Sequence, residues 1–218
     1  MNYIIEESVE EYIRKLLPQQ QELLNEIESY ATQNHVPIIQ KEVAALLKIL
    51  TKASKSKKIL EIGTAIGYSS IILCQSAGEG GFVTTIERDE ERVQRARLNI
   101  EKANLSHHIR IIEGEAQDVL NFLDAKYDLI FLDGAKGHYK EMLQDCINLL
   151  EVGGLLVSDN ILFKGMVVND NLVIKRKRTI VNRMREYLQY ICNHPQLDTS
   201  IIPIGDGLAI SYKTKLNS

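Results

Sequence analysis

The sequence predicts an α/β protein built on a doubly wound, mostly parallel sheet, and three observations carry that expectation. From Lys57 onward, short apolar runs alternate with stretches of helical composition. Several of these runs are apolar on consecutive residues, as in strands covered on both faces. The chain then closes on two β runs around Gly205-Asp206-Gly207, the pattern of an antiparallel hairpin at a sheet edge.

Taken in order, residues 1–55 read as an N-terminal helical extension of a single domain, 1–218, whose α/β core spans 56–218. Val9, Tyr12, Ile13, Leu16 and Leu17 recur at helical spacing until Pro18. Leu23, Leu24, Ile27 and Tyr30 mark a second helix, and Val43, Leu46, Leu47 and Leu50 a third. Pro37 forces an extended bend between those two. The strand runs are Lys58–Ile62, Phe82–Glu87, Ile109–Glu113, Tyr127–Asp133 and Gly154–Asp159, with helices expected around 69–77, 90–104, 116–123 and 138–150. Residues 172–192 read as one long basic helix, and Thr199–Pro203 and Leu208–Lys213 as the hairpin.

Composition narrows the class. The chain has 218 residues, 44% of them hydrophobic, and a net charge of −3, so no global basicity announces a nucleic-acid binder. No apolar run approaches a membrane span, and the acidic N-terminus lacks a signal-peptide core, which makes the cytoplasm the default location. Cys74, Cys146 and Cys192 are an odd number without C-x-x-C spacing, and the five histidines show no ligand spacing.

In open α/β sheets, ligands lie beyond the carboxyl ends of the strands. The first strand delivers Glu61-Ile62-Gly63-Thr64-Ala65-Ile66-Gly67-Tyr68-Ser69 to that edge. Glycine permits close backbone approach to a ligand, and Ser69 either caps the following helix or donates to a ligand carboxylate. Gly63 and Gly67 stand four apart, which is not the dinucleotide G-x-G-x-x-G spacing. Glu87 ends the second strand twenty-four residues after Gly63, where a carboxylate either binds ribose hydroxyls or stays solvated beside Arg88. The third strand ends in Glu113-Gly114-Glu115-Ala116, placed to flank an adenine ring. A nucleoside-type ligand follows from the three loops together.

The fourth and fifth runs end in Asp133-Gly134-Ala135-Lys136 and Asp159-Asn160. Asp133, Asp159 and Asn160 at neighbouring tips offer three oxygen ligands, two of them anionic. Magnesium suits that set, and manganese suits the same oxygens. A single Asp at such a turn would more often be a helix cap. Lys136 is either a base, an electrostatic partner or a surface ammonium.

These motifs together, E-I-G-T-x-x-G-Y-S, T-I-E-R, G-E-A, D-x-x-K and D-N, resemble the cation-dependent class I O-methyltransferases, the group of the catechol and caffeoyl-CoA enzymes. The resemblance runs from about Val36 to the final hairpin. It implies a Rossmann-like fold with a seven-stranded sheet and S-adenosylmethionine as methyl donor. It places Gly63 and Ser69 along the methionine part, Glu87 on the ribose, Glu115 and Ala116 at the adenine, Glu61 among the cofactor-binding residues, and Ile39 closing over the cofactor or simply packing in the core. Asp133 would border both cofactor and metal, and Asp133 and Lys136 would serve the chemistry.

Further segments, H-V-P-I, D-N-x-L-F-K-G-x-V, K-R-K-R and I-I-P-I-G-D-G-L-A-I-S, are similar to the bacterial tRNA 5-hydroxyuridine methyltransferases. That resemblance implies a tRNA partner, engaged at the wobble base 34 of its anticodon loop, a homodimer and no membrane association. Vicinal O5 and O4 of the base mimic a catechol, and an anticodon base is free to be splayed into a pocket. Lys164, Lys175, Arg178 and Arg185 are the candidate RNA contacts, the last three on one face of the expected helix. A small-molecule catechol-type enzyme and a non-catalytic binding protein are the competing expectations.

Overall fold

The computed structural model describes residues 4–215. Helices α1 (Glu7–Leu16), α2 (Glu22–Gln33) and α3 (Lys41–Ala53) precede the sheet. Then come β1 (Lys58–Ile62), α4 (Tyr68–Ala77), β2 (Phe82–Glu87), α5 (Glu90–Lys102), β3 (Ile109–Glu113), α6 (Ala116–Leu120), β4 (Tyr127–Leu132), α7 (Tyr139–Leu149) and β5 (Leu150–Ser158). Helix α8 (Arg178–Cys192) and the strands β6 (Leu197–Ile202) and β7 (Leu208–Lys213) complete it.

The seven strands form one sheet in the order β3-β2-β1-β4-β5-β7-β6. β1 to β5 pair in parallel, and β7 pairs antiparallel to both β5 and β6. The order reverses beside β1, whose neighbours are β2 and β4, so their carboxyl ends open a crevice there.

Strand side chains alternate between the two faces, and the core divides accordingly. Ile59, Val83, Leu129, Phe131 and Val157 pack against Leu24 and Ile27 of α2, Val43 and Leu47 of α3, Ile71 and Ile72 of α4, and Ile100 of α5. Leu60, Ile62, Ile130, Leu132 and Leu156 face the other way, against Met142, Leu143 and Ile147 of α7 and Met184, Tyr187 and Ile191 of α8. Helices α2 and α3 therefore complete the covering of one sheet face.

One expected element is shorter than its sequence suggests. The helix read over 172–192 begins only at Arg178, and residues 170–177 instead form two short 3-10 turns, Asp170–Leu172 and Lys175–Lys177. Four consecutive cations, Lys175 to Arg178, are unfavourable at the positive end of a helix dipole, and α8 has no side-chain cap there. Strand β5 starts earlier than expected, because Leu150 pairs with Tyr127 ahead of a register shift.

Candidate active site

A cleft of about 880 Å³ opens at the carboxyl ends of the parallel strands. Of the eight described non-glycine residues with positive φ, Ala65, Ala135, Asn160, Phe163 and Lys164 cluster around it. Such conformations persist where surrounding structure holds them, and they gather at functional sites.

The tip of β1 forms one wall. Gly63 has φ +105°, and a carbon added there would stand 2.9–3.0 Å from the backbone of Asp133 and Gly134. Only glycine lets the β1 and β4 tips approach so closely. Glu87, 8% exposed, accepts hydrogen bonds from the backbone N–H groups of Ala65 (2.9 Å), Arg88 (3.0 Å) and Asp89 (3.1 Å). It thereby pins the left-handed Ala65 and still lines the cleft, and a carboxylate has about four acceptor sites.

Glu115 and Ala116 lie on the same side, with Glu115 exposed and paired to Arg88 at 3.2 Å. Ile39, 6% exposed, both packs in the core and lines the cleft, so its two readings are one geometry.

Glu61 and Ser69 sit behind that wall rather than on it. The completely buried Glu61 accepts from Ser70 and, at 2.5 Å, from Thr85, which is in turn 2.6 Å from Thr64. Its Oε1 is buried without a hydrogen-bond partner. Burial pushes the Glu61 carboxyl up to about 7, against the lowering effect of the Ser69, Ser70 and Thr85 hydroxyls. Ser69 does not cap α4, whose N-cap is the left-handed Gly67; it is buried in that helix's first turn.

The floor of the cleft brings together Asp133, Lys136, Asp159 and Asn160. Lys136 donates to Asn160 Oδ1 and stands 3.6 Å from Asp133. The backbone N–H of Asn160 donates to Asp159 Oδ1 at 2.6 Å. Desolvation pushes Asp133 up to about 6, opposed by Lys136. Asp159 is raised well above its ordinary value by burial and then by the neighbouring Asp133. Two buried carboxylates, one of them raised by the other, beside an amide oxygen and with Lys136 as the cation next to them, form an oxygen-rich donor set. Tyr139 secures the arrangement from below, its hydroxyl lying 2.9 Å from Leu132 O and 3.2 Å from Asp159 O across the two strand tips. Among the described residues no group of three or more His, Cys, Asp and Glu side chains forms a metal cluster; this set has two carboxylates and an amide.

Lys175, Arg178 and Arg185, expected on one helix face, do not share one. Lys175 precedes α8, and Arg178 is exposed at its first residue. Arg185 is engaged elsewhere, donating to the carbonyls of Val167 (2.9 Å) and Met166 (3.2 Å) and to Asp170 (2.7 Å). Lys164 is exposed beside the cleft, and its backbone N–H donates to Asp206.

The cations that do line the cleft are Arg88, Arg92, Lys136, Lys177 and Arg183, and Lys177 stands 5.9 Å over the ring of Phe163. Arg183 also donates to Gly137 O at 3.0 Å, bracing the turn that carries Lys136. Lys177, Arg183, Phe163 and Asp206 stand in motifs of the sequence but are not among its candidate site residues. The one available signal was the pairing of G-D-G with the D-N-x-L-F-K segment, which gains meaning only once the hairpin is folded against it.

A strand-tip cleft on a seven-stranded sheet with this hairpin defines a protein of the Rossmann-like methyltransferase fold. A protein of known structure from Staphylococcus aureus, provisionally described as a caffeoyl-CoA O-methyltransferase, superposes with a TM-score of 0.89 at 35% identity, covering 95% of this chain and 100% of its own. An O-methyltransferase from Bacillus cereus, solved in complex with SAH, gives 0.84 at 26% identity, covering 95% of this chain and 97% of its own. A catechol O-methyltransferase from Niastella koreensis is 32% identical over 177 residues, 78% of this chain and 80% of that protein. Residues 14–214 match the O-methyltransferase family model, and the chain belongs to that family.

Proposed function

We propose that this protein is an S-adenosylmethionine-dependent O-methyltransferase whose acceptor carries two adjacent oxygens, as in a catechol. One observation carries the reading: the oxygen-rich floor of Asp133, Asp159 and Asn160, with Lys136 among them, lies in the same cleft as the Gly63–Ala65 turn and Glu87. The relatives are catechol- and caffeoyl-CoA-type enzymes, and similar structures hold SAH or SAM.

The residues fit both absent groups. For the donor, Gly63 lets the β1 and β4 tips meet so that both line the cleft, and Glu61 keeps an unpartnered buried oxygen behind them. For a divalent cation, the candidates are Asp133, Asp159 and Asn160, where the Asp133 charge adds to burial in raising Asp159. When bound, the donor supplies an electrophilic methyl group, and the cation a charge that favours the acceptor oxyanion.

The chain's own residues do the rest. Glu87 and Glu115 fix the nucleoside end, and Ile39 excludes water above it. Lys136 adds a positive charge beside the acceptor oxygen and favours its deprotonated form. The walls hold acceptor and donor in line, which supplies much of the rate.

A second reading, methylation of 5-hydroxyuridine in a tRNA anticodon loop, is favoured by the charge distribution. Residues 161–185 hold seven Lys or Arg against a single Asp, a net +6 against −9 elsewhere in a chain of −3. Lys177 and Arg183 of that segment reach the cleft mouth. We also propose a homodimer, to be checked by sedimentation velocity.

The deciding assay is methyl incorporation from labelled S-adenosylmethionine into catechol, caffeoyl-CoA and tRNA bearing 5-hydroxyuridine, with and without EDTA. Turnover that EDTA abolishes and magnesium restores is expected. No incorporation into any of the three would overturn the reading, and incorporation into tRNA alone would select the second one.

A further inference from the structure

We infer that Asp206 is the positioning residue for the acceptor wall, acting through Phe163. The inference rests on the reading of this cleft as the methyl-acceptor site. Between β5 and α8, residues 161–177 leave the sheet, and their first turn carries Phe163 into the cleft. Phe163 and Lys164 are both left-handed, at φ +46° and +58°, conformations that neither side chain favours.

The turn of the β6–β7 hairpin holds them there. Ile161 N donates to Gly207 O (3.1 Å), and Leu162 N to Asp206 O (3.0 Å). The Asp206 carboxylate completes the ladder by accepting from Lys164 N, immediately after Phe163. Leu162 is seated so closely that a carbon added to Gly207 would stand 2.4–2.8 Å from it.

The two backbone bonds from the hairpin stop at Leu162, and the Asp206 side chain is the hairpin's contact beyond Phe163; the rest of the turn is held locally, by Phe163 N on Asn160 O (3.3 Å) and Met166 N on Phe163 O (3.1 Å). Of the side chains that hold this turn, the Asp206 carboxylate is the one bonded next to Phe163, and it comes from an element remote in sequence. Phe163 lines the cleft with Lys177 5.9 Å from its ring centroid, and its aromatic ring is the surface on which an aromatic or nucleobase acceptor would stack.

The test separates hydrogen bond from charge. Asp206→Asn keeps an acceptor oxygen for Lys164 N, whereas Asp206→Ala does not. With the acceptor that the wild type methylates, Asp206→Ala is expected to raise KM for that acceptor about tenfold and Asp206→Asn by no more than about twofold. Neither is expected to change KM for S-adenosylmethionine. Phe163→Ala should raise the acceptor KM similarly, and combined with Asp206→Ala it should add nothing further.

A second readout needs no turnover. The chain contains no tryptophan, so Phe163→Trp is a single fluorescent reporter. Its quenching by acrylamide should increase with Asp206→Ala and not with Asp206→Asn. Additive effects in the double variant, or an Asp206→Asn as impaired as Asp206→Ala, would overturn the inference. A wild type inactive on every acceptor, with the quenching pattern intact, would instead fault the acceptor reading of the cleft.

Discussion

Single side chains give the sharpest expectations. Asp133→Ala and Asp159→Ala should each lower methyl transfer at least about a hundredfold while leaving the far-UV circular dichroism unchanged. An activity within a few fold of wild type would remove these carboxylates from the chemistry. Glu61 makes a different claim, about pH. Its folded-state pKa, about 7, lies above its ordinary 4.5, so the folded protein binds that proton more tightly than the unfolded chain does. The stability this contributes is complete below about pH 4.5 and is lost as pH rises to about 7. The whole effect is on the order of 3 kcal/mol. In ligand-free protein, Glu61→Gln should flatten the stability profile across that window and raise Tm at pH 8 by roughly 5 °C or more. Identical pH profiles for the two proteins would contradict it. Asp133, Asp159, Asn160 and Lys136 were legible in the sequence because each ends or follows a buried strand, a position that itself fixes location. Arg183 and Asp206 were not, because each reaches the cleft through a tertiary contact with a loop far away in sequence.

Among the elements, the connection from β5 to α8 was the hardest to read. The parallel strands and the terminal hairpin have clear periodicity, and their limits agree with the structure to within a few residues. The basic run Lys175–Arg178 has helical composition, but the helix dipole repels it, and propensity alone does not register that conflict. The same connection owes its course to two contacts that can be cut. Gly207→Ala would combine a strained φ of +86° with a collision at Leu162, costing about 1–3 kcal/mol in chemical denaturation. Arg185→Ala would release the carbonyls of Met166 and Val167 and the Asp170 carboxylate together. Limited proteolysis should then cut within 166–177 faster than in wild type, at an unchanged global Tm. Equal cleavage rates would mean that Arg185 is not the brace.

Across the whole molecule, the uneven charge becomes measurable. A polyanionic acceptor that contacts the +6 segment releases counterions, so its KM should climb steeply with salt, and Lys177→Glu with Arg183→Glu should flatten that slope. A neutral catechol should show almost no dependence. The measurement therefore tells the two acceptor classes apart without presuming either. The global −3 conceals this, because opposite charges far apart in space cancel only in a sum. There is also a division of labour in how the cleft is assembled. In the proposed reading, the donor half would come from the tips of β1, β2 and β3, and the acceptor wall from the β5–α8 connection and the β6–β7 turn, which lie toward the β7–β6 edge of the sheet. The two halves are thus separately mutable. Replacing residues 161–177 together with the Gly205–Gly207 turn by those of a relative should transplant its substrate preference onto this chassis and leave donor affinity as it was.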